Sequence, residues 1–290
     1  MYIHFIINPI SGTGKHEITK EILRKFFPED RVEVEFSEYK KHAILLTQEA
    51  ILENPDIVVA CGGDGTINEV ASCLVGTKIK LGIIPIGSGN GLASNLKISC
   101  ILEEAIRSIK VGKTVTIDVG KANDHYFFSN IGLGIDALII KKYEATKKRT
   151  LSGYINASLQ ASSQFKAPKA IVSCDGNATE IDPFLLFISN SNQMGYGFSL
   201  TPKAKLSDGF LNLLCVPKLN LFKKLLFGYF VLAKKTEEFS RSKQQLVQNL
   251  NIEFPDKIFT DIQIDGEFYN LKTNKIAVSI LPNALEILAL

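Results

Sequence analysis

The sequence predicts two domains: an α/β domain on a mostly parallel sheet, then a domain dominated by antiparallel sheet. Three observations predict it. Up to about residue 110, short β-branched runs alternate with stretches of helical apolar spacing, and the runs end in loops rich in Gly, Asn or Pro. From Val115 the helical patterns thin out, and strand-like runs follow one another across turns such as Asp175-Gly176-Asn177 and Asp208-Gly209. The length, 290 residues, suits one large domain or two ordinary ones. Strands alternating with helices imply a mostly parallel sheet with helices on both faces.

Residues 3–7 form an apolar strand, ended by Asn8-Pro9 and Ser11-Gly12-Thr13-Gly14. Ile18, Ile22, Leu23 and Phe26 mark a helix face. Val32, Val34 and Phe36 alternate as a strand, and residues 42–52 read as a helix that stops before Asn54-Pro55. Residues 57–60 are a strand, 81–84 another, and 102–109 a helix. In the second part, strands are expected at 115–119, 126–130, 170–174, 184–189, 210–216, 262–264 and 276–280. Helices are expected over 137–165 and 221–232. The domain boundary falls within 112–125. We divide the chain into residues 1–120 and 121–283.

Composition is that of a globular protein, with 46% hydrophobic and 22% charged residues. A net charge of +3 is too small to argue for nucleic acid as a partner. No apolar run reaches the roughly 18 residues that cross a bilayer. The first residues carry neither a basic start nor a signal-peptide core. The expected location is therefore the cytoplasm. Five scattered cysteines with no Cys-x-x-Cys pair read as buried free thiols, not as disulfides or a zinc site.

The most informative segment is Val58-Val59-Ala60-Cys61-Gly62-Gly63-Asp64-Gly65-Thr66-Ile67-Asn68. A strand stops at the glycines, and helical spacing follows through Ile67, Val70, Ala71 and Leu74. Strand, glycine loop and helix together make a phosphate site, because backbone N–H groups can approach the anion and the helix start adds unpaired donors. Asp64 inside this loop would repel a phosphate unless a cation lay between them, so the loop reads as nucleotide plus Mg²⁺.

Two more loops, at residues 8–15 and 87–91, also follow predicted parallel strands. In an open α/β sheet such loops share one edge and line one crevice. Turn-making alone is the competing explanation for their glycines. Two familiar signatures fail. Ser11-Gly12-Thr13-Gly14-Lys15-His16 lacks the first glycine of a P-loop and has His16 where Ser or Thr would bind Mg²⁺. Gly132-Leu133-Gly134-Ile135-Asp136-Ala137 matches G-x-G-x-x-A after a strand, but no strand follows to present a ribose-binding acid.

The ordered set is more specific than any one loop. Asn8-Pro9 with Ser11-Gly12, Gly62-Gly63-Asp64-Gly65-Thr66 and Pro85-x-Gly87-Ser88-x-Asn90 come first. Gly132-Leu133-Gly134-Ile135-Asp136-Ala137, Lys205-x-x-Asp208-Gly209 and Asp265-Gly266-Glu267 follow. Across nearly the whole chain this resembles the diacylglycerol kinase catalytic-domain family, which includes bacterial lipid kinases and sphingosine kinases. The Gly-Gly-Asp-Gly-Thr loop alone is also similar to loops of NAD kinases and phosphofructokinases.

The resemblance implies a phosphofructokinase-like α/β N-terminal domain and a mainly antiparallel β-sandwich C-terminal domain, with the active site in the cleft between them. In relatives the last strand returns to the first domain, so residues 284–290 are expected to complete it. The resemblance implies ATP and Mg²⁺ as cofactors. It places ATP at Asn8, Ser37, Gly62, Gly63, Asp64, Gly65, Thr66, Asn68, Gly87, Ser88 and Asn90. Asp64 would support the catalytic ion, and Glu267 would be the general base. Asp208 would hold a second, structural Mg²⁺ with the backbone carbonyls of Lys205 and Phe210. Phosphoryl transfer to an alcohol needs alignment, charge neutralisation and a proton acceptor, and little else from the protein. Asp265 and Glu267 are two apart, so in a strand they would share a face. Taken alone, Asp-Gly reads as a hairpin turn.

One departure stands out. Many bacterial members have Asn-Asp-Phe-Ala where this chain has Asn90-Gly91-Leu92-Ala93, which is closer to the sphingosine kinase pattern. The implied activity is transfer of the γ-phosphate of ATP to a diacylglycerol-like lipid. The alternatives are a sphingoid-base kinase, a kinase of a soluble alcohol, and a silent nucleotide- or lipid-binding module. Implied partners are a lipid substrate, transient contact with a membrane surface and, as in many related kinases, a homodimer. Residues 219–232 are unusually apolar, with Lys223, Lys224, Lys234 and Lys235 among or beside them. This helix suits either a membrane surface or a core-facing role with snorkelling lysines. Lys141, Lys142, Lys147, Lys148 and Arg149 read as a solvated basic face.

Overall fold

In the first part of the chain, β1 (Tyr2–Ile7), α1 (Lys20–Phe26), β2 (Arg31–Phe36), α2 (His42–Leu52) and β3 (Ile57–Gly62) follow in order. Then come α3 (Asp64–Leu74), β4 (Lys80–Pro85), α4 (Gly91–Asn95), α5 (Leu102–Val111) and β5 (Lys113–Ala122). The computed structural model describes residues 1–12, 18–87, 89–146, 150–194 and 197–290. Lys15, His16, Ser88, Lys147, Lys148 and Arg149 lie outside the described residues. The chain divides into two units, Met1–Asp118 with Pro282–Leu290, and Val119–Leu281.

The first unit is an α/β layer structure. Its strands run parallel in the order β2-β1-β3-β4. Every residue of β3 is buried, as expected of a central strand with both faces covered, and its sequence is accordingly an unbroken Ile-Val-Val-Ala-Cys-Gly. The chain passes from β1 to β2 on one side and then crosses to β3 on the other. The strand order therefore switches direction between β1 and β3, where open α/β sheets form their ligand crevice.

The second unit holds β6 (His125–Phe127), β7 (Asn130–Gly134), α6 (Ile135–Glu144), α7 (Leu151–Gln164), β8 (Ala170–Cys174) and β9 (Asn177–Ile181). These are followed by β10 (Pro183–Ser189), β11 (Leu211–Pro217), α8 (Leu221–Leu232), β12 (Lys243–Val247) and β13 (Asn249–Glu253), and then by β14 (Thr260–Ile264), β15 (Glu267–Leu271) and β16 (Lys275–Ala289). One antiparallel sheet has the order β12-β11-β10-β7-β14-β15. A second runs β16-β13-β8-β9, also antiparallel. Leu186 and Ile188 of β10 share one core with Leu250, Ile252 and Val278, so the two sheets form a sandwich. Leu185 and Phe187 point to the other face and pack with Ala161 and Phe227 of the helices. Burial on both faces explains why β10 reads Phe-Leu-Leu-Phe-Ile without alternation. The start of β16 pairs with β13, while Ile287 near its end pairs in parallel with Leu81 of β4. The chain's last residues therefore extend the first unit's sheet.

Several expectations are corrected. Helix α3 begins at Asp64, not at Ile67, so Asp64, Gly65 and Thr66 form its first turn and the loop shrinks to Gly62-Gly63. An acidic residue in a first turn is favoured by the helix dipole. The strand expected at 126–130 is two strands, β6 and β7. Gly132 is the middle residue of β7 and Gly134 its last, and the chain enters α6 directly. A Cβ on Gly132 would lie 1.8 Å from Asp136 Oδ2, so this glycine makes room for a carboxylate. The single helix expected over 137–165 is two, α6 and α7. Asp265 and Gly266 have φ of 45° and 83° and form the two-residue turn between β14 and β15, so Asp265 and Glu267 do not share a strand face. Of the five free thiols, Cys61 alone is fully buried and Cys100 is exposed. The short or polar elements α4, β9, β12, β13 and β15 were not foreseen.

Phe187 is fully buried between the sheet and the helices. Phe187→Ala should cost about 3–5 kcal/mol of stability, measured as a lower urea midpoint at unchanged m-value.

Candidate active site

The first unit brings three loops together at the carboxyl ends of β1, β3 and β4. Asn8 N donates to Cys61 O (2.9 Å), and Ile86 N donates to Gly62 O (2.8 Å). Asn8 Nδ2 donates to Thr66 Oγ1 at 3.1 Å, which joins the first loop to the first turn of α3. The approach is too close for side chains. A Cβ on Gly12 would lie 2.3 Å from Ile86 O, and one on Gly87 would lie 2.5 Å from the Cα of Gly63. Gly63 and Gly87 are thus glycines because backbone meets backbone there.

Asp64 fixes this arrangement. Its Oδ2 accepts from Asn90 N (2.8 Å) and its Oδ1 from Gly91 N (2.7 Å), the amides that open α4. Gly89 leaves the space the carboxylate needs, since a Cβ there would lie 2.7 Å from Oδ2. These bonds also change the argument about charge. Two amides and the start of α3 stabilise the Asp64 carboxylate, so it can stand beside a phosphate cradle without a cation in between. Asn90 is buried, with φ 52°; its Nδ2 donates to Gly87 O at 2.7 Å. Its Oδ1 is buried with no hydrogen-bond partner among the described residues. An acceptor aimed into a glycine-lined corner wants a donor that a bound molecule can supply.

The other residues expected at this site are spread along the same sheet edge. Ser37 is buried at the end of β2, where its N donates to Ile7 O (2.8 Å). Gly65 lies in the first turn of α3, and Asn68 in the next, where its Oδ1 accepts from Ser72 Oγ at 3.3 Å.

In the second unit, one end of the six-stranded sheet is polar. The register places Asn212, Ser189 and Asn130 side by side, and Ile131, Ile264 and Glu267 beside them. Asp265 holds this end together. Its Oδ2 accepts from Phe128 N (2.8 Å), and its Oδ1 from Ser129 N (2.8 Å) and Asn130 N (2.9 Å). These bonds divide β6 from β7. Gln263 adds to the network through Asn130 Oδ1 (2.7 Å) and Gly266 N (2.8 Å). Glu267 is half-buried as the first residue of β15. Asp208 lies before β11, which three strands separate from β15 and Glu267 in the sheet order. Its Oδ1 accepts from Phe210 N at 3.1 Å, an Asx turn, with Lys205 and Phe210 exposed around it.

No group of three or more His, Cys, Asp or Glu side chains could hold a metal among the described residues. The donor set does suit Mg²⁺ carried in on phosphates, which commonly needs only one or two carboxylates and otherwise keeps its waters. A carboxylate oxygen has two lone pairs, so accepting from an amide does not by itself bar it from a cation. Asp208 with nearby carbonyls is likewise a set of hard oxygens.

Sequence reasoning missed the state of Asp136. It is buried in the first turn of α6, and its Oδ2 has no hydrogen-bond partner among the described residues. Desolvation pushes its pKa up to about 6, against a smaller lowering by the Gln263 amide. The available signal was an acid directly after a buried Gly-x-Gly strand.

Glycine loops meeting at the switch point of an α/β layer, followed by a β-sandwich, are the layout of a phosphotransferase class. Residues 2–122 match the diacylglycerol kinase catalytic domain, and residues 129–289 match the YegS C-terminal NAD kinase beta sandwich-like domain. Diacylglycerol kinases of Staphylococcus aureus strains JH9 and Newman are each 30% identical over 281 residues, covering 91% of this chain and 85% of the relative. Two crystal structures from Bacillus anthracis str. Sterne share the fold. One has a TM-score of 0.82 at 23% identity, covering 100% of this chain and 95% of the other. The second, of a diacylglycerol kinase, has a TM-score of 0.72 at 19% identity, covering 100% and 97%. The chain belongs to the diacylglycerol kinase family and is a lipid kinase.

Two predictions follow from the site geometry. Gly87→Ala forces a Cβ onto the Gly63 backbone and should lower stability by about 1–3 kcal/mol in urea denaturation. For Asp136, the folded-state pKa lies above the ordinary 3.8, so the folded protein holds an extra proton between about pH 4 and 6. Stability is greatest below that window and falls as the pH rises through it, by about 3 kcal/mol in all. Asp136→Asn should flatten that fall in denaturation curves taken from pH 4 to pH 8.

Proposed function

We propose that this lipid kinase transfers the γ-phosphate of ATP, with Mg²⁺, to the hydroxyl of a diacylglycerol-like lipid. The observation that carries the reading is the meeting of three glycine loops at the switch point of the first unit, with Asp64 binding the start of α4. The diacylglycerol kinase relatives, aligned along almost the whole chain, support the acceptor.

In this reading the amides around Gly62, Gly63, Gly65 and Thr66 receive the phosphates. Asn8, Ser37, Asn68, Gly87, Ser88 and Asn90 line the nucleotide. The unpartnered Oδ1 of Asn90 accepts from it. Asp64 supports the catalytic Mg²⁺, which when bound offsets the charge on the phosphate oxygens. Asp208, with the carbonyls of Lys205 and Phe210, holds a second ion. Glu267 takes the proton of the lipid hydroxyl. The turn supplied by Asp265 and Gly266 presents it at the head of β15. The enzyme works in the cytoplasm and visits the membrane to reach its lipid.

The test is labelling of a lipid panel in mixed micelles with γ-labelled ATP. Diacylglycerol should be labelled, and chelation of Mg²⁺ should stop the reaction. Glu267→Gln should lower kcat by about 10²-fold or more, with the KM for ATP little changed. Because Gly91 stands where many bacterial members have Asp, the panel includes a sphingoid base. Labelling of that lipid alone would overturn the acceptor, and labelling of none would overturn the reading.

A further inference from the structure

Helix α8 is inside out. Six large apolar side chains, Leu221, Phe222, Leu225, Leu226, Tyr229 and Leu232, are all exposed, five of them by more than 60%. At 100° per residue they fall within one arc of about 140°, and no charged residue interrupts it. The lysines of the helix lie on the other side. Lys224 Nζ donates to Ser162 O at 2.5 Å and lies 5.5 Å from the centre of the Phe184 ring. Phe227 is buried against Phe184 and Phe239. Asn220 caps the first turn by accepting from Lys223 N. The helix is therefore well held, and its outer face is apolar by construction. A core-facing amphipathic helix would have the opposite arrangement.

Helix α7 is joined to α8 by the Lys224–Ser162 bond and carries a second apolar stripe. Leu151, Ile155 and Leu159 are exposed and four residues apart, so they form one stripe. Ser162, which bonds Lys224, lies three residues beyond Leu159. No Asp or Glu occurs in residues 145–174 or 209–236, and the acids that follow, Glu237 and Glu238, pair with Lys203 and Lys235. Exposed Lys166, Lys218 and Lys234 lie in these two segments. An apolar face this large on a water-soluble surface marks an interaction site.

We infer that the outer face of α8, with the α7 stripe, docks on the surface of an anionic lipid bilayer. The apolar side chains would enter the boundary between headgroups and acyl chains while the lysines meet anionic headgroups. Charge argues against a second copy of the chain as the occupant, because a two-fold contact through this face would set basic flanks against each other. The face is also the outside of a helix, whereas a single acyl chain would need a groove. The inference rests on the lipid-kinase reading for why a membrane is visited at all.

The test is co-sedimentation of the full chain, without nucleotide, with vesicles of phosphatidylcholine alone or mixed with phosphatidylglycerol. The wild type should bind the mixed vesicles more tightly, with the difference shrinking as salt rises. The triple variant Leu225→Ser, Tyr229→Ser, Leu232→Ser should keep its melting temperature and lose vesicle affinity by about tenfold or more. It should still phosphorylate a short-chain diacylglycerol dispersed in water. Equal binding by variant and wild type would overturn the inference. So would sedimentation velocity showing that the variant breaks a dimer while vesicle binding persists. A parallel loss of short-chain turnover would make the face an acyl-chain site instead. Vesicle binding by a protein that phosphorylates no lipid would remove the activity reading and leave the docking face intact.

Discussion

Both oxygens of Asp64 are taken by the amides of Asn90 and Gly91, and the first unit's site depends on that pair of bonds. They tie the start of α3 to the start of α4 and set where the Gly87 loop can lie. Gly63 and Gly87 then meet backbone to backbone. A carboxylate next to an anion cradle is unfavourable if its charge is uncompensated. Here two donors from one helix start and the dipole of another offset the charge from within the chain. The loops are held by bonds within the chain itself, which lowers the ordering cost of binding a nucleotide.

The parallel core was legible because its chemistry is local and repetitive. β3 is β-branched and apolar throughout, and helix α2 starts and ends where its spacing and Asn54-Pro55 indicate. α8 was equally legible as a helix, since twelve residues of strong helical pattern need no long-range information. What failed was decided elsewhere in the chain. β6 and β7 read as one strand because the break between them is made by Asp265, more than 130 residues away. The single helix expected over 137–165 divides between Glu144 and Leu151, a gap that carries no proline. β12 and β13 are polar or mixed, and pairing with neighbours makes them strands where propensity would not. The orientation of α8 was left open by its sequence, because leucines on a helix read as core until their neighbours are known.

The second unit uses polar burial differently from the first. Asp136 has no full set of partners, so burial raises its pKa, whereas Asp265 receives three amide donors. The two are linked through β7 and Gln263, with Asp265 at the Asn130 end of the strand and Asp136 beside Gly132. Gly132 gives Asp136 its space, and Gln263 touches the strand that Asp265 holds. A buried acid with its pKa raised to about 6 must ionise in a desolvated place at neutral pH, which costs stability. The polar end of this sheet is also where Glu267 begins β15.

Asp265-Gly266-Glu267 therefore divides its work between fold and chemistry. A two-residue hairpin turn with both φ values positive favours Asp-Gly, and this one has φ of 45° and 83°. The Asp of the turn points inward and is used up by backbone amides. The next side chain, Glu267, is left half-buried at the head of a strand. If the two carboxylates had shared a strand face, they would have repelled each other and competed for the same proton. The turn gives the Asp265 carboxylate to backbone amides and leaves Glu267, the proposed base, at the head of β15. The motif reads as paired acids in the sequence. In the structure it is one structural acid that positions the proposed catalytic one.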